Sequence, residues 1–484
     1  MEALVATTMS TPIGTNLGLL RVLWAMVSGR MLESRGALLP ALKGSGLSDE
    51  EVRQGWQASR NGVWQINEMI EGHEAWVKEN TGWKATEVGG YRVRVADMVG
   101  FFRPKLEGCA TKHIHPVAGK ALPAIELGMI AEIGHIGEQR IPILTQIVRM
   151  PEGHSDHKSL RQALIKTLRS EQSLEQTQNP QKNPNPAKPA KPAKPANPAN
   201  PTNPANPANP ANPANPANPA EPVEVDVADA EFGAAHMLRE GSKPFVVRAD
   251  KNATFRRADP PKYAGRGRYP KRRKRVRPLP RKHQDHHIPA DPPDRQESWL
   301  TKDGRTVRAD IWCNVYVAES VLTPEEVANP NKAKPLLDTP LTVLAVHHPD
   351  FKHPLLLVTN LNQTPASTIY ALYPQRWPIE TIPLSAKHMI GAHRQFVHAK
   401  EHTQRLPELA LLAGNILSTV AATAQPTATG FWDHLPKATP GRLRRLLVKV
   451  PFPSFVPLPH QLRKKNSLFD HLPRGYQPKL HLSG

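Results

Sequence analysis

Apolar residues recur along the first 88 positions at the spacing of amphipathic helices. The pattern covers residues 16–32, 34–43 and 48–80, and Ser48-Asp49-Glu50-Glu51 is a capping-box start for the last of these. Residues 1–88 are therefore predicted to form a helical N-terminal domain. DNA binding is one interpretation of this domain and a structural cap is the other, because no helix-turn-helix turn is recognisable in it.

The pattern changes to that of strands after residue 89. Leucines at every fourth position then predict one helix at about 156–171, and a second helix follows the fourth strand. The predicted strands lie at 91–97, 122–133, 140–149, 223–229 and 244–249, two strand-like runs follow at 306–319 and 340–349, and an apolar helix is expected at about 406–423.

Residues 179–222 are a low-complexity run of Asn-Pro-Ala and Lys-Pro-Ala triplets. Proline at every third position excludes a helix, and no large apolar residue is present to build a core. We predict a spacer rich in polyproline II. A long insertion of this kind costs little at a surface crossover, because loop-closure entropy grows slowly with length.

Without the spacer, the order of elements is that of a ribonuclease H-like α/β fold, a mixed sheet flanked by helices. The expected core parts are residues 89–178, 223–255 and 346–430. A basic, β-rich insertion at 256–345 precedes the last catalytic helix, and a basic, Pro-rich tail occupies 431–484.

The charge balance favours a polyanionic partner. The chain has 63 Lys and Arg against 43 Asp and Glu, a net charge of +20, and nucleic acid is the commonest such partner. Ten of the seventeen residues 266–282 are basic, and Arg272, Arg273, Lys274 and Arg275 lie in this run. We expect it to neutralise the DNA backbone, although a solvated charged loop has the same composition.

Cysteine content and hydropathy favour the cytoplasm. Cys109 and Cys313 are the two cysteines in the sequence, so neither a disulfide framework nor a thiolate zinc cluster is expected. The apolar run near the start is broken by Arg21 and Arg30 and is too short to span a bilayer, so no membrane partner is expected. The histidine pairs and triplets, including His113 and His115, fit no standard zinc spacing and are interpreted as surface or DNA-proximal residues.

Three acids occupy positions that suit phosphoryl transfer by two metal ions. Asp97 ends the first predicted strand, Asp229 ends the fourth, and Glu380 lies in a late helical segment. Each has a structural alternative: Asp97 as a turn former, Asp229 as a helix N-cap, and Glu380 as the partner of Arg376 in a helical ion pair. Asp226 competes with Asp229 for the role of the second acid, and Asp229 is preferred because it ends the apolar run.

The segment around Glu380 carries polar groups on one stripe. Tyr373, Arg376, Glu380 and Lys387 lie at offsets of 0, 3, 7 and 14, which share one face of a helix. Phenol, guanidinium, carboxylate and ammonium groups at that spacing indicate a site and not a core.

This spacing matches the Y-(2)-R-(3)-E-(6)-K signature, so the chain resembles the DDE transposases of the insertion-sequence type-four family. The resemblance covers roughly residues 90–420. It implies that Asp97, Asp229 and Glu380 bind two Mg²⁺ or Mn²⁺ ions, which activate water to cut a transposon end and then its 3′ hydroxyl to join target DNA. Tyr373, Arg376 and Lys387 would hold phosphates.

The resemblance also implies further partners and roles. Double-stranded DNA would be bound by a homodimer, and Trp299 or Trp312 in the insertion would stack on a flipped base. An ordinary core position is the alternative for both tryptophans. The other functions to weigh are an inactive DNA-binding descendant and a stand-alone ribonuclease H-like nuclease.

Two departures from the family pattern concern the acids. Val99 stands where Thr or Ser usually follows the first aspartate. Pro378 and Pro383 bracket Glu380, and an interior proline removes a helix hydrogen bond at about 3 kcal/mol, so we expect a kink between Glu380 and Lys387.

Overall fold

The protein was examined as a computed structural model of the whole chain. The described residues are 1–103, 106, 109, 111–115, 117–178, 222–241, 243–258, 274–284, 286–317, 339–394, 400–454, 458, 459 and 462.

Short helices fill the N-terminal region, as the sequence predicts. Ser48 accepts a hydrogen bond from the Glu51 backbone and Glu51 reaches back to the Ser48 backbone, so the capping box is confirmed. The single helix predicted at 48–80 is wrong, because the chain is extended at Gly62 and a new helix begins at Ile66. The helices are Glu2–Met9, Asn16–Val27, Arg30–Glu33, Leu38–Gly44, Asp49–Asn61 and Ile66–Asn80.

Strands begin directly after these helices. In chain order they are β1 Lys84–Ala85, β2 Glu87–Val88, β3 Tyr91–Phe102, β4 Lys112–His115, β5 Lys120–Ile136, β6 Gln139–Arg149, β7 Val223–Ala228 and β8 Phe245–Arg248. The later strands are β9 Phe255–Arg256, β10 Arg275–Val276, β11 Arg281–His283, β12 His286–Ile288, β13 Arg295–Leu300, β14 Thr306–Val317, β15 Leu341–His347 and β16 Leu355–Thr359.

The centre of the sheet combines antiparallel and parallel pairs. Strands β6, β5 and β3 pair antiparallel in that order, and β3, β7 and β8 then pair in parallel. This arrangement, three antiparallel strands followed by two parallel strands, confirms a mixed α/β sheet and is consistent with a ribonuclease H-like fold.

The strands of the predicted β-rich insertion extend the same sheet. Strand β16, which belongs to the predicted core part 346–430, pairs with β8, and β15, β14 and β13 follow, each antiparallel to its neighbour. Strands β11 and β12 form a separate hairpin. The insertion therefore lengthens the sheet beyond β8.

Helices cover both faces of the sheet. Helix His157–Gln178 and helix Ala234–Arg239 pack on one face with Ala96 and Met98 of β3. The N-terminal helices and helix Lys400–Thr423 share a core with Val95 of β3 on the other face.

The remaining helical elements follow β16. They are helix Ala366–Leu372, 3₁₀ helix Tyr373–Glu380, helix Thr381–Ser385, π-helix Ala386–Ile390, 3₁₀ helix Ala392–Arg394, helix Lys400–Thr423 and helix Pro440–Leu447. The stretch His402–Thr423 is long and apolar enough to cross a membrane, but most of it is buried inside the fold.

The predicted spacer at 179–222 lies outside the described residues, except for Pro222. The same is true of residues 259–273 in the basic run and of most of the tail after residue 454.

Candidate active site

Asp97 lies within β3 and not at its end. The strand continues to Phe102 because Val99 and Phe101 are buried and pair with β5, so the prediction that Asp97 closes the strand is wrong. Side chains alternate between the faces of a strand. Asp97 therefore lies on the same face of the strand as Val95 and Val99. This face packs against the segment that carries Glu380.

Asp229 follows the last residue of β7, as the sequence predicts. Val95 of β3 pairs in parallel with Val227 of β7, so extending this register by two residues brings Asp97 level with Asp229. An Asp229 carboxylate oxygen accepts a hydrogen bond from the backbone N–H of Glu231 at 2.9 Å, which fixes the turn after the strand.

The competing acid Asp226 points to the opposite face of the sheet. It is 2% exposed, and its Oδ1 accepts hydrogen bonds from Arg94 at 3.0 and 3.2 Å. Arg94 also contacts the middle of helix His157–Gln178, because it donates to the carbonyl of Leu168 at 3.0 Å. Asp226 is thus part of a structural ion pair, away from Asp97.

Glu380 lies within an irregular helical segment. The chain runs as a 3₁₀ helix from Tyr373 to Glu380, as an α-helix from Thr381 to Ser385 and as a π-helix from Ala386 to Ile390. Pro378 lies inside the 3₁₀ part and Pro383 in the first turn of the α part. The helix therefore changes its winding at the prolines without stopping, a pattern often found at functional sites.

Arg376 lies between the acids. Its Nη2 donates to Glu380 Oε1 at 2.8 Å and its Nη1 lies 3.8 Å from Asp97 Oδ2. The side chain is buried, and its Nε has no hydrogen-bond partner among the described residues. Burial alone lowers the Arg376 pKa, but the surrounding groups, Asp97 foremost, outweigh that effect and raise it.

Burial and neighbouring charge perturb both aspartates. Burial raises the pKa of Asp97 to about 7, Arg376 opposes this, and the charges of Asp229 and Glu380 add to it. The pKa of Asp229 is also raised, mainly by burial and further by Glu231. Carboxylates with raised pKa values in one place are typical of functional sites.

Two further residues of the stripe lie beside the acids. Tyr373 is buried and contributes to the electrostatic environment of Arg376. Burial lowers the pKa of Lys387 while Asp97 partly offsets that effect, and the Lys387 ammonium lies 5.5 Å from the ring centre of Phe101. Lys387 therefore interacts electrostatically with Asp97 even though it lies in the π-helical part of the segment.

The donor set of the three acids suits a hard divalent cation, because carboxylate oxygens are the ligands that Mg²⁺ and Mn²⁺ prefer. In this structure the Arg376 guanidinium lies between Asp97 and Glu380. Ion binding by all three acids therefore requires Glu380 to turn away from Arg376. The Glu380 side chain is 47% exposed, which leaves it room to do so.

A basic cleft opens beside Asp229. It has a volume of about 750 Å³ and includes Ala230, the residue that follows Asp229. Four arginines line it, namely Arg248, Arg256, Arg275 and Arg281. Lys274 of the basic run is exposed next to this cleft, whereas Arg272 and Arg273 lie outside the described residues.

The two tryptophans of the insertion occupy different environments. Trp312 is 1% exposed and its indole N–H donates to the carbonyl of Pro292 at 3.0 Å, so it is a core residue. Trp299 is partly buried and packs against Tyr370 with ring centres 5.8 Å apart. A third tryptophan was missed by the sequence analysis: Trp377 is 52% exposed, and the Arg376 guanidinium lies 4.7 Å from its ring centre.

A cluster of histidines and acids lies near Asp229 and was also missed. His113, Glu126 and His157 bring their side chains together from two strands and a helix, and Glu231 contacts His157. The carboxylates of Glu126 and Glu231 raise the pKa of His157 to about 10. His113, interpreted from the sequence as a surface or DNA-proximal residue, is partly exposed and its ring is part of this cluster.

Comparison with known proteins finds a match to one family model. Residues 223–413 match the family model described as a transposase DDE domain. The matched range contains Asp229, Glu380 and the whole stripe from Tyr373 to Lys387, whereas Asp97 lies before it. A search of the curated proteins found no match. Residues 223–413 of this chain are therefore similar to a transposase DDE domain.

Proposed function

We propose that this chain is a transposase that cuts DNA at the ends of a mobile element and joins those ends to target DNA. Its ribonuclease H-like core would use Asp97, Asp229 and Glu380 to hold two Mg²⁺ or Mn²⁺ ions. The substrate would be double-stranded DNA, bound by a homodimer because two ends must be processed together.

One observation carries this proposal. Asp97 comes from outside the matched family range, yet it lies 3.8 Å from the guanidinium that also binds Glu380. The parallel register of β3 and β7 supports the approach of Asp229 to the same point. Asp229 and Glu380 lie within the family match and Glu380 also has the signature spacing, so a chance approach of Asp97 to this group would not be expected.

When bound, a pair of divalent ions would activate the attacking oxygen and stabilise the leaving oxygen. The residues of the chain divide the remaining work. The two aspartates are held by strands and define a rigid base, while Glu380 is exposed and completes the ligand set from the helical segment. The raised pKa of Asp97 shows that the empty site disfavours its carboxylate, and a bound cation would supply compensating positive charge and so favour its ionisation.

Arg376 would change partners during this process. Release of Glu380 leaves a buried, planar guanidinium facing the site, and such a fork matches two phosphate oxygens. Lys387 would add a point charge near Asp97, and the arginine-lined cleft beside Ala230 would carry the DNA backbone. The same residues would thus stabilise the empty site and bind the substrate.

The test is cleavage of labelled DNA that carries the sequences flanking the gene, with purified protein and Mg²⁺. We expect cuts that leave a 3′ hydroxyl, and joining of those ends to a target plasmid. Asp229→Asn and Glu380→Gln should each reduce cleavage more than about 100-fold, since even outer-shell changes at metal sites commonly cost 10 to 100-fold. Asp303→Asn, an exposed acid in the β13–β14 hairpin, is the matched control and should cut normally.

The outcomes separate this proposal from its rivals. End binding without any cleavage would contradict it in favour of an inactive descendant. Cleavage of any DNA or RNA regardless of end sequence would contradict it in favour of a general nuclease. Cleavage that survives both Asp229→Asn and Glu380→Gln would show that these acids are not the catalytic ligands.

A further inference from the structure

We infer that His113, Glu126 and His157 form a site for a transition-metal ion of the zinc type, separate from the three acids. The ligand atoms would be Nδ1 of His113, Nδ1 of His157 and the carboxylate of Glu126. These three atoms all lie within 4.8 Å of one another. No ion is described there, so the inference rests on the arrangement of the side chains.

The distances suit insertion of an ion with little movement. Nδ1 of His113 lies 2.8 Å and Nδ1 of His157 lies 2.9 Å from the same oxygen, Oε1 of Glu126. Ligand atoms around a tetrahedral zinc ion with bonds of about 2.0 Å lie about 3.3 Å apart. Each nitrogen therefore needs to move away from Glu126 by only about half an ångström.

Glu126 has an unused ligand atom. The residue is 3% exposed, and its Oε2 is buried with no hydrogen-bond partner among the described residues. A buried carboxylate oxygen without a partner is costly unless something compensates it. A cation between Glu126 and the two imidazoles would provide that compensation.

Glu231 completes the arrangement as an outer-shell residue. It accepts a hydrogen bond from Nε2 of His157, the ring nitrogen on the opposite side from Glu126. Metal-bound histidines usually donate their other N–H to a carboxylate, which fixes the ring and its tautomer. His157 is thus already oriented with Nδ1 toward the proposed ion.

The sheet is shaped to receive the His113 ring. Gly100 of β3 pairs with Glu126 of β5, and a Cβ atom at Gly100 would lie 2.7 Å from Cγ and Cδ2 of His113. Glycine at this position therefore makes space for the imidazole beside Glu126. Two imidazoles with carboxylate favour zinc, cobalt or nickel over Mg²⁺, which prefers oxygen ligands alone.

The site would connect parts of the chain that meet near Asp229. It joins β4, β5 and the start of helix His157–Gln178, and through Glu231 it reaches the turn that follows Asp229. Occupancy should therefore stabilise this turn and with it the position of Asp229. The role is structural and needs no change in the proposed DNA chemistry.

The experiment measures Co²⁺ binding to the full-length chain after removal of metals with a chelator. Asp97→Asn and Glu380→Gln are introduced together so that the three acids do not contribute, and no DNA is present. We expect one Co²⁺ per chain with visible absorption typical of nitrogen-bound Co²⁺, displaced by Zn²⁺. This result does not depend on transposase activity, so its failure is distinct from failure of the proposed function.

Variants in this background locate the ion. His113→Gln and His157→Gln should each abolish the signal, Gly100→Ala should weaken binding by displacing the His113 ring, and Glu231→Gln should weaken it about 10 to 100-fold. His115→Gln is the matched control, because His115 lies on the same strand and its Nδ1 instead accepts from the backbone of Ala118. Equal binding by His157→Gln and the unchanged background would overturn the inference.

X-ray absorption of the zinc-loaded parent chain provides a second measurement that does not require folded variants. Two imidazole ligands and one or more oxygen ligands are expected. A spectrum with oxygen ligands alone, or no bound zinc after dialysis, would overturn the inference.

Discussion

Replacing Asp97 with asparagine should stabilise the metal-free protein while it removes a metal ligand. The carboxyl of Asp97 has a pKa of about 7 in the folded chain, against the ordinary aspartate pKa of 3.8 in the unfolded chain. The folded state therefore binds more protons between these values, and stability falls as pH rises through this window. At about 1.4 kcal/mol per pH unit, the loss reaches about 4 kcal/mol at pH 8.

Asp97→Asn has no carboxyl to ionise and escapes this loss. Its free energy of unfolding should exceed that of the parent chain by about 2 kcal/mol at pH 5 and by about 4 kcal/mol at pH 8. Urea unfolding with a chelator at both pH values measures it, with exposed Asp250→Asn as the control that should match the parent. Mg²⁺ should then raise the unfolding midpoint of the parent and leave Asp97→Asn unchanged.

An advantage that is absent at pH 8, or equal at both pH values, would refute the view that Asp97 is a buried acid awaiting a cation. Stabilisation of Asp97→Asn by Mg²⁺ equal to that of the parent would refute its role as a ligand.

Three further changes test neighbouring parts of the account. Arg94→Met removes the guanidinium 3.0 Å from buried Asp226, so the free energy of unfolding should fall by about 3 to 5 kcal/mol in urea titrations, while each folded molecule still cleaves DNA. Arg376→Gln removes a cation that lowers the pKa of Asp97, so the loss of stability in metal-free protein should continue to higher pH in the same titrations. Lys274→Ala should weaken DNA binding equally for all sequences and reduce the slope of log affinity against log salt by about 0.9, as measured by fluorescence anisotropy.

Each of these three predictions can be contradicted by a specific result. Full stability of Arg94→Met would mean that the buried acid does not need its partner. An unchanged pH profile for Arg376→Gln would separate the guanidinium from Asp97 electrostatically. An unchanged salt slope for Lys274→Ala would place the DNA backbone elsewhere.

Sequence patterns predicted the central sheet because its strands are apolar and bounded by polar turns. They misplaced the end of β3, because Val99, Gly100 and Phe101 continue the strand while the sequence suggested a turn after Asp97. The choice between Asp226 and Asp229 was made from the end of the apolar run. The alternation of side chains along β7 gives a stronger reason, since it places Asp226 on the other face with Arg94.

The irregular helix around Glu380 was only partly predictable. Pro378 and Pro383 indicated a disturbance, but no sequence rule specifies that the winding changes from 3₁₀ to α to π. The cluster of His113, Glu126 and His157 could not be predicted, because its members are separated by at least thirteen residues and meet only through the packing of β4, β5 and the start of helix His157–Gln178.

The central claim is that Asp97, Asp229 and Glu380 converge on one metal centre. Iron-directed cleavage of the polypeptide tests it most directly: Fe²⁺ with ascorbate replaces the native ion and cuts the chain close to its ligands. A His157→Gln background removes the proposed second metal site. Cuts are expected near all three acids. Excess Mg²⁺ should suppress them, and Asp97→Asn should abolish them. Cuts that omit any one of the three segments, or that persist in Asp97→Asn, would contradict it.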